Sequence, residues 1–298
     1  MIVDAHQHFW DPEQIPTGWL GPHLGPLNRP YGYDDLEPLL AATGVEVAVL
    51  VQAEDHLLET EYLLDIANRH EEIVGVVGWL PLDRPDEASD LLQRWLDHPS
   101  FCGVRNLIHQ YADPDWLLRS EVSDGLGLLE GAGVPFDVVS VLPRHLQHVP
   151  ALSERHPELN MVIDHLSKPP IRSADPEPWW TLIARAAENP RVHAKVSGLY
   201  PDDFTEPSAV ELQPFVDRAL EVFGPDRLMF GSDWPVSVLS GGYVAVWNRT
   251  LRVLAQLGAD ERAAVLGGTA TRFYALDSCG DPLGAPISCR PSPAQSDG

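Results

Sequence analysis

Short apolar, β-branched runs recur along this chain and alternate with longer stretches in which apolar residues fall at helical spacing, the rhythm of repeated βα units. Eight such runs predict strands at 2–8, 45–52, 73–80, 102–108, 135–139, 161–165, 192–198 and 228–233. The intervening spacing predicts helices at 34–42, 57–69, 88–96, 122–132, 144–155, 178–188, 209–223 and 243–257. The strand runs are apolar on both faces, as they are when helices cover one side and packed side chains fill the other. A doubly wound open sheet would share that pattern, but it usually carries a glycine-rich nucleotide loop, and no Gly-x-Gly-x-x-Gly or Walker-type segment occurs. The expected fold is an α/β (β/α)8 TIM barrel in a single domain over residues 1–276.

Two stretches break the rhythm. Residues 11–33, rich in Pro, Gly and aromatics such as Trp19, Tyr31 and Tyr33, predict a long loop after the first strand, at the end where barrel sites are built, and a candidate lid. Residues 277–298, rich in Pro, Ser, Gly and Asp, predict a disordered tail.

The chain has 298 residues, 44% of them hydrophobic, enough for a substantial core. Its formal charge of −24, from 20 basic and 44 acidic side chains, repels phosphate backbones and anionic lipid, which disfavours nucleic-acid and membrane-surface partners. No apolar run approaches the roughly 20 residues of a membrane span. The start reads as a strand rather than a signal peptide. Only three cysteines occur, Cys102, Cys279 and Cys289, so neither a disulfide framework nor a cysteine metal cluster is expected, and the default compartment is the reducing cytoplasm. Oligomeric state has no signature in the sequence.

In such a barrel the site forms at the C-terminal ends of the strands. The polar groups there are few: His6 and His8 on the first strand, Gln52 on the second, Arg105 and Asn106 on the fourth, Asp164-His165 with Lys168 on the sixth, Lys195 and Ser197 on the seventh, and Ser232-Asp233-Trp234 on the eighth. Alternation points His6, His8 and Asp4 to one face and directs Asp164 and Lys195 outward. Charges at the ends of strands this apolar need partners or a ligand, so His6, His8, His165 and Asp233 are expected to converge, with Arg105 beside them.

The segments Val3-Asp-Ala-His-Gln-His-Phe-Trp10, Gly103-Val-Arg105, Val162-Ile-Asp-His-Leu-Ser-Lys-Pro-Pro170, Lys195-Val-Ser-Gly198 and Leu228-Met-Phe-Gly-Ser-Asp-Trp-Pro235 together resemble the amidohydrolase superfamily. Within it, the chain is similar to the amidohydrolase-related branch of sugar-lactone hydrolases, L-fuconolactonase-like and L-rhamnonolactonase-like. The resemblance implies a distorted (β/α)8 barrel, an enzyme of carbohydrate metabolism that opens a cyclic ester. Bimetallic members of the superfamily use a lysine or glutamate at the end of strand four and a histidine at the end of strand five. Here strand four offers Arg105, and Phe136-Asp-Val-Val-Ser140 ends strand five without histidine. The expectation is therefore no required metal, or one divalent ion such as zinc on His6, His8, His165 and Asp233.

Ester hydrolysis needs a base for water and positive charge or donors at the carbonyl oxygen. Asp233 is the expected base, with its basicity raised modestly in a dry pocket. His6, His8 and His165 would polarise the carbonyl of a small-molecule lactone, directly or through an ion. Arg105, Lys168, Gln52 and Trp234 would bind the substrate. The alternatives are a metal-dependent decarboxylase of an aromatic acid or semialdehyde in the same superfamily, and a non-catalytic sugar-acid binder on the same barrel.

Overall fold

The computed structural model describes residues 1–201 and 203–276, so the tail predicted from residue 277 lies outside the described residues. Eight parallel strands pair in sequence order, β1 (Val3–Gln7), β2 (Val47–Val51), β3 (Ile73–Gly78), β4 (Phe101–Asn106), β5 (Phe136–Val138), β6 (Met161–Ile163), β7 (Val192–Val196) and β8 (Leu228–Phe230). Helices α1 (Tyr33–Thr43), α2 (Leu57–Ala67), α3 (Pro85–Leu96), α4 (Ser120–Ala132), α5 (Pro143–Arg155), α6 (Trp179–Ala186), α7 (Ala209–Phe223) and α8 (Tyr243–Val253) alternate with them. This is the expected single-domain (β/α)8 barrel. Most strands stop short of the predicted polar ends, because His8, Gln52, His165, Ser197 and Asp233 sit where the chain leaves the ladder and turns across the barrel mouth.

The barrel closes where β8 returns to β1. The two meet through an isolated parallel bridge between Gln7 and Trp234. The Asp233 amide donates to the His6 carbonyl at 2.8 Å and the His8 amide to the Trp234 carbonyl at 2.7 Å. Asp4 reinforces the seam, its Oδ1 accepting from the Ser232 amide at 2.8 Å and the His6 amide at 3.2 Å. The expectation that Asp4 shares the face of the two histidines is thereby corrected: it reaches toward β8. The register of β1 against β2 shifts between Asp4 and Gln7, so simple alternation does not hold there.

Three elements absent from the predicted rhythm follow α8: a short helix α9 (Ala259–Ala263), a π-turn (Ala264–Gly268) and α10 (Thr269–Tyr274). They cover the far end of the barrel, where Tyr274 packs with Val3, Ala5, Val162 and Met229. Residues 11–33 hold one 3-10 turn (Pro22–Leu27) and are tied down by an antiparallel bridge from Trp10 to Tyr31. Among the described residues no helix is long and apolar enough to cross a membrane.

Close backbone approach fixes one helix. A Cβ on Gly125 of α4 would stand 2.3 Å from the Leu82 carbonyl oxygen, backbone that cannot move aside cheaply. Gly125→Ala is expected to cost about 1–3 kcal/mol, read as a fall of several degrees in thermal melting; an unchanged Tm would contradict that contact.

Candidate active site

The site grows from the seam. Because Asp233 and His6 are joined through backbone, and His8 follows two residues later, three polar side chains meet at one point of the rim. The Nε2 atoms of His6 and His8 are 3.2 Å apart. Asp233 Oδ1 lies 3.4 Å from His8 Nε2, 3.7 Å from His6 Nε2 and 3.8 Å from His165 Nε2.

His165 arrives by a different route. After Ile163 the chain leaves strand geometry, and His165, Leu166, Ser167 and Lys168 all adopt left-handed backbone, with φ between 48 and 59°. Such conformations cost L-residues on the order of 1 kcal/mol each and persist only when the surroundings hold them. Here Ser140 Oγ meets Ser167 Oγ at 2.6 Å, and the Trp179 indole donates to the Leu166 carbonyl at 2.6 Å. Asp164 continues the inward row of Val162, and because alternation ends at the turn, His165 beside it faces inward as well. Gly198, at φ 55°, must remain glycine: a Cβ there would stand 2.4 Å from His165 Nδ1 and 2.8 Å from Asp233 Oδ2.

The outward placement expected for Asp164 and Lys195 is overturned, since both are completely buried inside the barrel. Lys195 pairs in register with Met229, an interior position, and lies two residues before Ser197, so its side chain joins the same inward row. Its ammonium donates to Asp137 at 2.5 Å and stands 3.2 Å from Asp164 Oδ1 and 3.1 Å from His6 Nδ1. Arg105 Nη1 donates to Asp164 Oδ2 at 3.0 Å, and its Nη2 donates to the Gln52 carbonyl. The Tyr274 hydroxyl donates to Asp137 from below at 2.9 Å. Burial opposes charge on Asp164, yet Lys195, His6 and Arg105 hold its carboxyl well below the usual range.

Burial also decides the state of the imidazoles. It pushes His6 well below the ordinary imidazole range, lowers His8 and brings His165 to about 3, so all three rings are neutral near pH 7. His8 Nδ1 faces the Val51 carbonyl at 2.7 Å and must therefore be its protonated nitrogen, which leaves Nε2 an acceptor. Burial disfavours a charge on Asp233 too, but at the low pH where it would take a proton the protonated forms of His165, His8 and His6, with the Lys168 ammonium, favour that charge and hold its carboxyl far below the usual range. The raised basicity expected for Asp233 is thus corrected: it is ionised throughout the physiological range.

A cavity of about 270 Å³ opens above this cluster. Of the predicted residues, His8, Arg105, His165, Lys168 and Asp233 line it, together with Trp10, Trp19 and His109. The Trp19 indole donates to the Ala53 carbonyl at 2.7 Å, which makes loop 11–33 one wall of the cavity. His6 lies beneath it, fully buried. Gln52 and Trp234 are brought near the site but not into the cavity lining. Gln52 Nε2 donates to the Arg105 carbonyl at 2.9 Å and Asp55 at 2.8 Å, while the Trp234 ring packs edge-on against Phe9 and Tyr31. Sequence reasoning missed Asp137, although a carboxylate in the apolar run Phe136-Asp-Val was itself a signal that a buried cation waits opposite. It also missed His109 and Tyr274, which no local pattern marks.

The donor set suits one divalent cation. His6, His165 and Asp233 each offer an atom within 4.8 Å of the others. His6 Nε2, His8 Nε2 and Asp233 Oδ1 stand 3.2, 3.4 and 3.7 Å apart, near enough for one ion to reach all three, while Arg105 Nη1 lies 3.3 Å from the same His6 Nε2 and places a positive charge beside that position. His8 Nε2 and Asp233 Oδ1 are both acceptors, so their proximity calls for a proton, a water or a cation between them.

Residues 3–276 match the family described as amidohydrolase. The chain is 38% identical over 279 residues to an L-fucono-1,5-lactonase of Burkholderia ambifaria, covering 92% of this chain and 96% of that protein. A second L-fucono-1,5-lactonase, from Burkholderia multivorans, is 34% identical over 295 residues, covering 94% and 97%. The crystal structure of an amidohydrolase from Burkholderia multivorans with bound zinc superposes with a TM-score of 0.84 at 34% identity, over 92% of this chain and 99% of the other. With a family match over nearly the whole barrel and relatives of this identity, the chain belongs to the amidohydrolase family.

Proposed function

We propose that the chain hydrolyses a sugar 1,5-lactone, the chemistry named for its Burkholderia relatives. The observation that carries this reading is Asp233, an ionised carboxylate in the wall of a cavity whose other lining groups include Arg105, Lys168 and neutral His165. Asp233 takes a proton from water as the water oxygen attacks the lactone carbonyl carbon. It returns that proton to the ring oxygen as the C–O bond breaks, leaving the open hydroxy acid. A cyclic ester is more reactive than an amide and so asks less of its base.

The developing oxyanion needs donors held in place beforehand. Arg105 is held by Asp164 and by the Gln52 carbonyl, and Lys168 donates to the Gly198 carbonyl at 2.9 Å. These cations, with His165, stabilise the carbonyl oxygen and grip substrate hydroxyls. His8, whose free nitrogen is an acceptor, orients water rather than polarising the carbonyl. His6, His8, His165 and Asp233 are the residues that would hold a divalent ion, which would supply carbonyl polarisation and a more acidic water. Without metal, His6 is a positioning group beneath Asp233 and His8.

The test is turnover of L-fucono-1,5-lactone and related aldonolactones, assayed with and without a chelator. Asp233→Asn is expected to lower kcat/KM by about a thousandfold with the fold intact by circular dichroism; near-wild-type turnover by this variant would refute the base assignment. Release of carbon dioxide from an aromatic acid with no lactone turnover would instead favour the decarboxylase, and tight sugar-acid binding without turnover the binder.

The pH profile gives a second check. His165 and Asp233 work in their deprotonated forms, and both release their protons well below the ordinary imidazole value. Enzymatic kcat/KM, corrected for spontaneous hydrolysis, is therefore expected to stay within about twofold from pH 6 to 8. An acid limb centred near 6.5 would show that an ordinary histidine controls the reaction.

A further inference from the structure

A second cavity of about 520 Å³ adjoins the hydrolytic one, and the two share Val141 and Lys168 in their walls. The hydrolytic cavity is small against the roughly 300–1,000 Å³ usual for ligand pockets, room for a compact ring and little more. The neighbouring space is walled by Leu146, Ile171, Trp179, Tyr200 and Phe204 and by five prolines. The polar groups in that wall are already engaged within the protein. Ser167 is bonded to Ser140, Ser173 to the Asp175 carbonyl, Glu177 to Thr181, the Trp179 indole to the Leu166 carbonyl and the Tyr200 hydroxyl to the Ser232 carbonyl. A second sugar would demand hydrogen-bond partners, and apart from Lys168 at the junction and the exposed Ser173 and Glu177 the polar side chains of the wall are buried and bonded within the protein. Phe204, 38% exposed, stands at the rim, and Leu142, 46% exposed, lies beside the lining residues Val141 and Pro143. Both leave apolar surface in water where a ligand would cover it.

We propose that this cavity is a subsite for an apolar substituent, alkyl or aryl, carried on the lactone ring. The assignment rests on the lactonase reading and extends its substrate class: the ring sits over Asp233, and its side arm passes Lys168 and Val141 into the apolar space. Each methylene taken out of water favours binding by about threefold to fourfold, so the subsite acts chiefly through KM.

The experiment compares δ-valerolactone, δ-decalactone and L-fucono-1,5-lactone as substrates of the wild type and of Ile171→Trp and Phe204→Asn. The first variant fills the cavity. The second removes an apolar rim group at a position of φ 54°, which asparagine tolerates. For the wild type, kcat/KM is expected to be at least about tenfold higher for δ-decalactone than for δ-valerolactone, mostly through KM. Each variant is expected to cut that ratio to about threefold or less while leaving turnover of L-fucono-1,5-lactone within about twofold of wild type. The absence of a chain-length preference, or a preference that survives both substitutions, would overturn the subsite. Hydrolysis of L-fucono-1,5-lactone without such a preference keeps the lactonase reading and rejects the subsite alone. Failure to hydrolyse any of the three lactones rejects both.

Discussion

The seam between β1 and β8 is the constraint on which the rest of the site depends. A barrel of eight strands must join its last strand to its first, and here the join is a pair of backbone hydrogen bonds, at 2.7 and 2.8 Å, with Asp4 bonded across it. Those same bonds set the separations among His6, His8 and Asp233, because each of these side chains grows from a residue in the seam or next to it. Chain closure and the assembly of the reactive cluster are one event. Gly231 shows how tight the seam is, since a Cβ there would stand 2.5 Å from His6 Cβ.

Beneath the seam lies a buried lattice of charge. Asp137, Asp164, Lys195 and Arg105 are almost completely shielded from water, and each carboxylate has a cation within 3.0 Å. Removing one partner from such a group leaves an uncompensated charge in an apolar interior, the costliest kind of single substitution. The lattice holds Arg105 toward the cavity and presses on His6 from below, so the donors of the proposed reaction are held in place in advance. That is what electrostatic stabilisation of a developing oxyanion requires. The left-handed turn from His165 to Lys168 and the glycine at 198 are local concessions to the same end, bringing His165 against Asp233.

Hydrophobic periodicity, unbroken by nucleotide-loop motifs, was enough to read eight βα units, and the helix and strand positions follow it closely. The polar residues interrupting the strand ends gather at one rim of the barrel, and five of the eight named residues line the cavity there. What could not be read locally was direction. Asp164 and Lys195 face inward because they fall in step with the interior residues Val162 and Met229, a register set by pairing with distant strands, and His165 joins them because the backbone turns left-handed after β6. The state of Asp233 was equally hidden. Its carboxyl is depressed by rings and a lysine from other strands, and no window of sequence contains them.

The sequence by itself determined the architecture and the chemical inventory, because periodicity and residue type are local properties that survive in any context. The tertiary structure alone decided geometry and charge: which nitrogen of His8 carries its proton, which way Asp4 points, why Gln52 and Trp234 support the site without lining its cavity, and that an apolar chamber lies beside the hydrolytic one. Those depend on distances between residues far apart in the chain, and electrostatic and packing energies change steeply over a few ångströms.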